Sequence, residues 1–242
     1  MDTAWIALGG FILLGFTLEA ITGFGGTVIA LALGALLLPI ATLVPVLVPL
    51  SLAMGIVLAW RHRGHLDQRL LWALILPAMT AGTALGYVLR PTLDPAAMKT
   101  VFGLLVSWTA ARTLWQRLRS RPPSHRPAWR SRAITFVAGI THGLYASGGP
   151  LLVYALSGMR LDKARFRVTL IAVWLVLDGA LSAAFWLDGR LQTAWPSVLH
   201  YLPIVALGTW LGESLHARVS ERHFETLTAL LLLVTGMLLT FR

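Results

Sequence analysis

Apolar residues run along this chain in long blocks. The first extends over about residues 4–39 and is interrupted at Gly23-Phe24-Gly25-Gly26. Further blocks cover about residues 42–60, 70–89 and 95–118. A polar, basic stretch with several prolines, residues 119–132, then reads as a linker. Apolar sequence resumes at about 133–157, interrupted at Ser147-Gly148-Gly149-Pro150, and continues at about 167–187, 194–215 and 224–241. Blocks near 20 residues have the length of a membrane-crossing helix. The pattern predicts an all-α polytopic membrane protein.

The order of blocks is the same on both sides of the linker, and the halves also match by residue. Pro77, Gly82, Thr83, Leu85 and Gly86 recur as Pro203, Gly208, Thr209, Leu211 and Gly212, both in the pattern P-x-x-x-x-G-T-x-L-G. Gly25-Gly26 falls opposite Gly148-Gly149. The expected organisation is a first membrane repeat at 1–118, a basic linker at 119–132 and a second repeat at 133–242. Gly82, Gly86, Gly208 and Gly212 have the character of close helix-packing positions.

Two topologies fit the blocks. In one, every broken block crosses once, giving eight simple transmembrane helices. In the other, each broken block turns back at its glycines, and each half is a hairpin plus three spans. Charge discriminates between them. The hairpin form puts Arg61, Arg63 and Arg69, the linker arginines, and Arg160, Lys163, Arg165 and Arg167 all on one side. Simple crossing separates the last group from the others. The hairpin form is therefore preferred, with the linker cytoplasmic and the second repeat inverted relative to the first. Inverted repeats with broken helices suit alternating access around a midplane site.

Composition agrees with this picture. The chain of 242 residues is 57% hydrophobic and only 12% charged, against roughly 25% charged in a soluble domain. Its net charge of +10 sits in short clusters between apolar blocks, which argues for cytoplasmic anchors rather than nucleic-acid binding. No cysteine is present, so thiolate chemistry and cysteine-ligated metal are excluded; no metal or other cofactor is expected. The start, Met1-Asp2-Thr3-Ala4, lacks the basic flank of a cleavable signal and is read as mature sequence. Trp5, Trp60, Trp72, Trp115 and Trp195 lie near block ends, as interfacial anchors do. Trp174 and Trp210 sit deeper: core packing is the preferred reading, and lining a cavity is the alternative.

The glycine breaks are the candidate site. Breaking a helix in the bilayer frees backbone groups that lipid cannot satisfy, so such breaks persist against protein or a wet cavity. New helices are expected near Gly26-Thr27 and at Pro150, a residue suited to the first helical position. A helix start offers free N–H groups and partial positive charge, which attract an anion. The candidate substrate-binding residues are Gly25, Gly26, Thr27, Ser147, Gly148 and Gly149, with Thr27 and Ser147 adding hydroxyls. Glu19, His142 and Asp178 are ionisable residues inside apolar blocks and are candidates for coupling transport to protons. Ala146-Ser147-Gly148 with nearby His142 faintly resembles the serine nucleophile of rhomboid-type proteases, but no second motif supports a catalytic dyad, and no enzyme is expected.

With Thr22-Gly23-Phe24-Gly25-Gly26, Ser147-Gly148-Gly149-Pro150 and its two four-block halves, the chain resembles the sulfite exporter TauE/SafE family, also called the 4-toluene sulfonate uptake permease family. That resemblance implies transport of sulfite, sulfoacetate or another sulfonate across a bacterial inner membrane, driven by the proton gradient. Thr27 stands where members often carry a third glycine. Small carboxylates as substrates, a passive anion channel on the same architecture and a homodimeric assembly stay open; a membrane scaffold is the least favoured reading.

Overall fold

A computed structural model describes residues 3–119, 127–156, 163–216 and 221–241. All regular structure among the described residues is helical. The first half holds α1 (Thr3–Thr22), α2 (Gly26–Gly34), α3 (Ile40–His62), α4 (Gln68–Thr92) and α5 (Pro95–Arg119). The second holds α6 (Ala128–Tyr145), α7 (Gly149–Leu156), α8 (Lys163–Leu187), α9 (Arg190–His216) and α10 (Glu221–Phe241). Helix α6 begins inside the stretch read as linker, because Pro127 is extended and caps the helix that starts at Ala128. Residues 120–126 lie outside the described part, as does Arg160. Helices α1, α3, α4 and most of α8 are long and apolar enough to cross a bilayer.

Both broken blocks fold back on themselves. Gly15 abuts Gly26 and Ala30, and Gly34 abuts Leu8. Partner numbers in α1 fall as numbers in α2 rise, so α2 runs antiparallel to α1. In the second half Gly148 lies against Ala138 and His142, and α7 packs along α6. The short arms make room for the long helices to cross around them.

The halves are interleaved. The most extensive contacts pair α1 with α9, α4 with α6, α3 with α8 and α5 with α10. Exchanging the halves (α1 for α6, α3 for α8, α4 for α9, α5 for α10) leaves this set of pairs unchanged. The repeated glycines lie at these crossings, as their spacing predicted. Gly82 and Gly86 sit against the backbone of Phe136 and Ile140 in α6, while Gly208 and Gly212 sit against Leu13, Thr17 and Ala20 in α1. Gly103 of α5 meets Gly236 of α10. Without side chains at these points the helix backbones approach closely, which increases dispersion contacts where no hydrophobic gain from water is available.

The surface reverses the soluble pattern. Trp60, Trp72, Val88, Leu187 and Trp210 are among many large apolar side chains that are more than half exposed, while Glu19, His142 and Asp178 are buried. Trp210 therefore faces outward, not into the core. Hydroxyls of Thr17, Thr80, Thr113, Thr135, Thr209 and Thr235 bond back to carbonyls four residues earlier, which keeps them satisfied within their own helices.

Ionic contacts mark the two ends of the bundle. At one end, Glu213 of α9 contacts Arg167 of α8 and His62 of α3, the latter at 2.8 Å. Arg61 reaches the same carboxylate at 3.9 Å. At the opposite end Asp188, in the α8–α9 turn, accepts the hydroxyl of Tyr87 at 2.5 Å and pairs with Arg190. The ends of α3 and α9 and the start of α8 thus share one face of the bundle.

Candidate functional site

The two breaks share one local structure. Helix α1 ends when the Gly23 N–H bonds the Glu19 carbonyl at 2.7 Å, and α6 ends when the Ala146 N–H bonds the His142 carbonyl at 2.6 Å. Gly23 (φ 86°) and Ala146 (φ 53°) are both left-handed, the conformation of a helix C-cap. Glycine is required at 23, because a Cβ there would press into the backbone of Arg167. The next helices begin with Gly25 and Gly148 as caps: the Ile29 N–H bonds the Gly25 carbonyl at 2.9 Å, and the Leu152 N–H bonds the Gly148 carbonyl at 3.0 Å. Helix α7 thus starts at Gly149, one residue before the expected Pro150.

Freed carbonyls at the breaks find side-chain donors. The Thr22 hydroxyl lies 2.8 Å from the Phe24 carbonyl, and the Ser147 hydroxyl donates to the Tyr145 carbonyl at 3.0 Å. The indole N–H of Trp174, on α8, donates to the Gly23 carbonyl at 2.9 Å. Its ring also stacks on His142, with centroids 5.5 Å apart. Trp174 is therefore part of the first break and not a packing residue alone.

A single cavity is lined by Glu19, Gly25, Thr27, Val28, His142, Ala146, Gly149, Trp174 and Asp178. Six of the nine residues singled out from sequence are on its wall: Gly25, Thr27, Gly149, Glu19, His142 and Asp178. Gly26 sits just behind, against the Glu19 side chain, and Gly148 behind His142. Ser147 is buried beside the break, with its hydroxyl committed to Tyr145. The sequence reading missed Val28 and Ala146; Trp174, for which it preferred core packing over a place on a cavity wall, lies on that wall. Gly149 packs against Phe24 and Trp174, so the two helix starts approach one another across the cavity.

The polar groups of the cavity are arranged around those starts. Glu19 Oε2 accepts the Thr27 N–H at 3.2 Å, so a carboxylate of α1 caps α2. Asp178 Oδ2 accepts the Ser51 hydroxyl at 2.6 Å. Asp178 Oδ1 lies 3.2 Å from His142 Nε2, within ion-pair range but too misaligned for a hydrogen bond. Both ring nitrogens of His142 are consequently buried without a hydrogen-bond partner. An unpartnered buried polar group is costly, and here it faces a cavity edged by two helix starts.

The sulfite exporter TauE/SafE family profile matches residues 6–239. The chain belongs to that family. Its members are transporters, and the chain is a membrane transporter of this type, not an enzyme. The chain is also similar to the probable inner membrane transporter protein TsaS of Comamonas testosteroni, at 27% identity over 170 residues, covering 69% of this chain and 70% of that protein. No solved structure gives a significant match. The family match spans both breaks and every element that lines the cavity.

Proposed function

We propose that the chain is a secondary transporter that carries a small sulfur-containing oxyanion, sulfite or a sulfonate, across the inner membrane with protons as coupling ion. The observation that carries this reading is the convergence of two helix starts, α2 and α7, on one buried cavity that also holds Glu19, His142 and Asp178. Each helix start contributes a partial positive charge of roughly half an elementary unit. The backbone N–H groups near Gly25, Thr27 and Gly149 supply donors for oxyanion oxygens, and His142 supplies a further donor when protonated. Gly26 and Gly148 hold the helix starts close to their neighbours.

In this reading the repeats are inverted, at 1–118 and 133–242, and the linker is cytoplasmic. The meeting of Arg61, Arg167 and the ends of α3 and α9 on one face of the bundle supports that arrangement. The cavity has room for about one water molecule. So small a site favours a carrier over an open anion channel. A sulfonate enters by a rearrangement of the arms, and the interleaved pairs α1–α9 and α4–α6 are the rigid units that such a motion would move.

Counterflow of labelled sulfite or sulfoacetate into proteoliposomes, with and without a pH gradient, tests the proposal. Accumulation driven by the gradient is the expected result. Leak that only follows the anion's own gradient identifies a channel, and absence of flux for every sulfur anion offered refutes a transport role in sulfur-anion movement.

A further inference from the structure

Glu19 precedes Gly25 by the same interval as His142 precedes Gly148. The matched positions thus carry an acid in one half and a base in the other. In the second half, His142 leaves the α7 start without a tethered anion. In the first, the Glu19 carboxylate accepts the Thr27 N–H at 3.2 Å and packs against Gly26. That carboxylate occupies the donor an incoming oxyanion would use at α2. The cavity beside it has room for about one water molecule, so a sulfonate takes that amide only once the carboxylate has moved.

We infer that the Glu19 carboxylate is a tethered competitor of the substrate anion, so that each bound anion displaces it from α2 and brings a proton into the site. Transport is then proton–anion symport. This inference rests on the reading of the cavity as the anion site.

The sign follows from the charges facing the cavity. Asp178 faces Glu19 from α8, His142 from α6, and α2 brings Thr27 and Val28, neither of them charged. From α3 the neutral Ser51 bonds Asp178. Arg167 of α8 lies over Gly23 and is held by Glu213 of α9. An oxyanion arriving beside the carboxylates of Glu19 and Asp178 adds a like charge, which a proton offsets. A displaced Glu19 gives up the Thr27 N–H, and a proton removes the charge that donor had stabilised. By reciprocity, whatever raises proton occupancy when the anion binds also raises anion affinity when the proton binds. Nothing in the cavity responds with the opposite sign, which antiport would require.

Titration calorimetry of the purified full chain in detergent, in two buffers of different ionisation enthalpy, reads the protons exchanged on binding. Methanesulfonate is the probe of choice because it does not titrate between pH 5 and 9, so any proton belongs to the protein; sulfite, sulfoacetate and 4-toluenesulfonate complete the panel. Wild-type chain is expected to take up a proton on binding, with affinity falling by up to about tenfold per pH unit above the titration of Glu19. Glu19→Gln is expected to lose most of that uptake and to bind more tightly than wild type at high pH. Proton release, or binding with no proton change, overturns the inference even if no variant folds. A wild-type pH slope in Glu19→Gln overturns the role of Glu19. Absence of saturable binding for all four anions overturns the anion-site reading itself, and the inference with it.

Discussion

Replacing Trp174 with phenylalanine isolates the hydrogen bond that ties α8 to the first break. The indole N–H of Trp174 satisfies the Gly23 carbonyl at 2.9 Å across a sequence distance of 151 residues. Phenylalanine keeps an aromatic face for the stack on His142 but leaves that buried carbonyl without a donor. An unsatisfied buried acceptor costs about 1–3 kcal/mol. Gly23 sits two residues before the cap of α2, so relief of that cost comes from letting the Gly23–Gly25 turn relax. Relaxation misplaces the Thr27 N–H. If the whole penalty appears in binding, affinity for a sulfonate falls by roughly 5- to 150-fold. Whatever share of the penalty stays in the unliganded fold lowers the thermal midpoint instead, by roughly 2–12 °C if all of it does. Calorimetric titration and a thermal melt in the same detergent read the two effects. Trp210→Phe is the control, since that side chain is 63% exposed and faces outward. A Trp174→Phe protein that binds and melts as wild type does would refute the assignment of Trp174 to the break.

The glycine crossings give a stability test: Gly143→Val drives methyl groups into the backbone of Thr83 and Tyr87 and should destabilise by about 1–3 kcal/mol or more, whereas Gly10→Ala, with nothing near its Cβ, should be neutral or slightly stabilising in a melt. Thr27→Leu places branched carbon on the cavity wall and should lower anion affinity at least a hundredfold. By contrast Ser147→Ala, which strips the donor from the Tyr145 carbonyl, should lower the melting point by an amount equivalent to about 1–2 kcal/mol and leave affinity within a few-fold; an equal loss of affinity would return Ser147 to the binding surface. Asp188 lies outside the spans, where hydrogen bonds from Arg190 and Tyr87 pull its carboxyl down to about 2 from 3.8. A depressed folded value contributes stability above the unfolded value and loses it as pH falls from about 4 to 2, so Asp188→Asn should flatten the acid limb of a stability–pH curve.

How much of this was legible in the sequence depended on the range of each signal. Membrane-length apolar blocks, the repeat of Pro77–Gly86 at Pro203–Gly212, and the breaks at Gly25 and Gly148 are local patterns, and each appears in the structure where its spacing put it. The hairpin reading of the broken blocks came from charge, and in the structure α2 runs back along α1 while α7 packs along α6. The partners of the buried groups were not legible. Nothing near Ser51 in sequence indicates that it faces Asp178, 127 residues on, and a lone Trp174 in an apolar block reads as packing until the Gly23 carbonyl is seen beneath it. The partner of Ser147 was hidden for a related reason: a hydroxyl beside a helix start suits an anion or a stray carbonyl equally well, and here it bonds the Tyr145 carbonyl.

The interleaving of the two halves has a consequence for how the protein is made. Helix α1 leaves the ribosome long before its partner α9, and the Tyr201 hydroxyl closes on the Trp5 carbonyl 196 residues away. At roughly 5–20 residues per second, α1 and its short returning arm wait about 10–40 s in the bilayer before the helix that covers them exists. During that interval its small-residue face, Leu13 to Ala20, is open to any other transmembrane helix. Helices α4 and α6, separated by one helix and a linker, close within a fraction of that time. By order of synthesis the α4–α6 pair is available first, the α1–α9 pair much later and the α5–α10 pair last, and the anion cavity, which needs both breaks, is completed only after the N-terminal hairpin has docked.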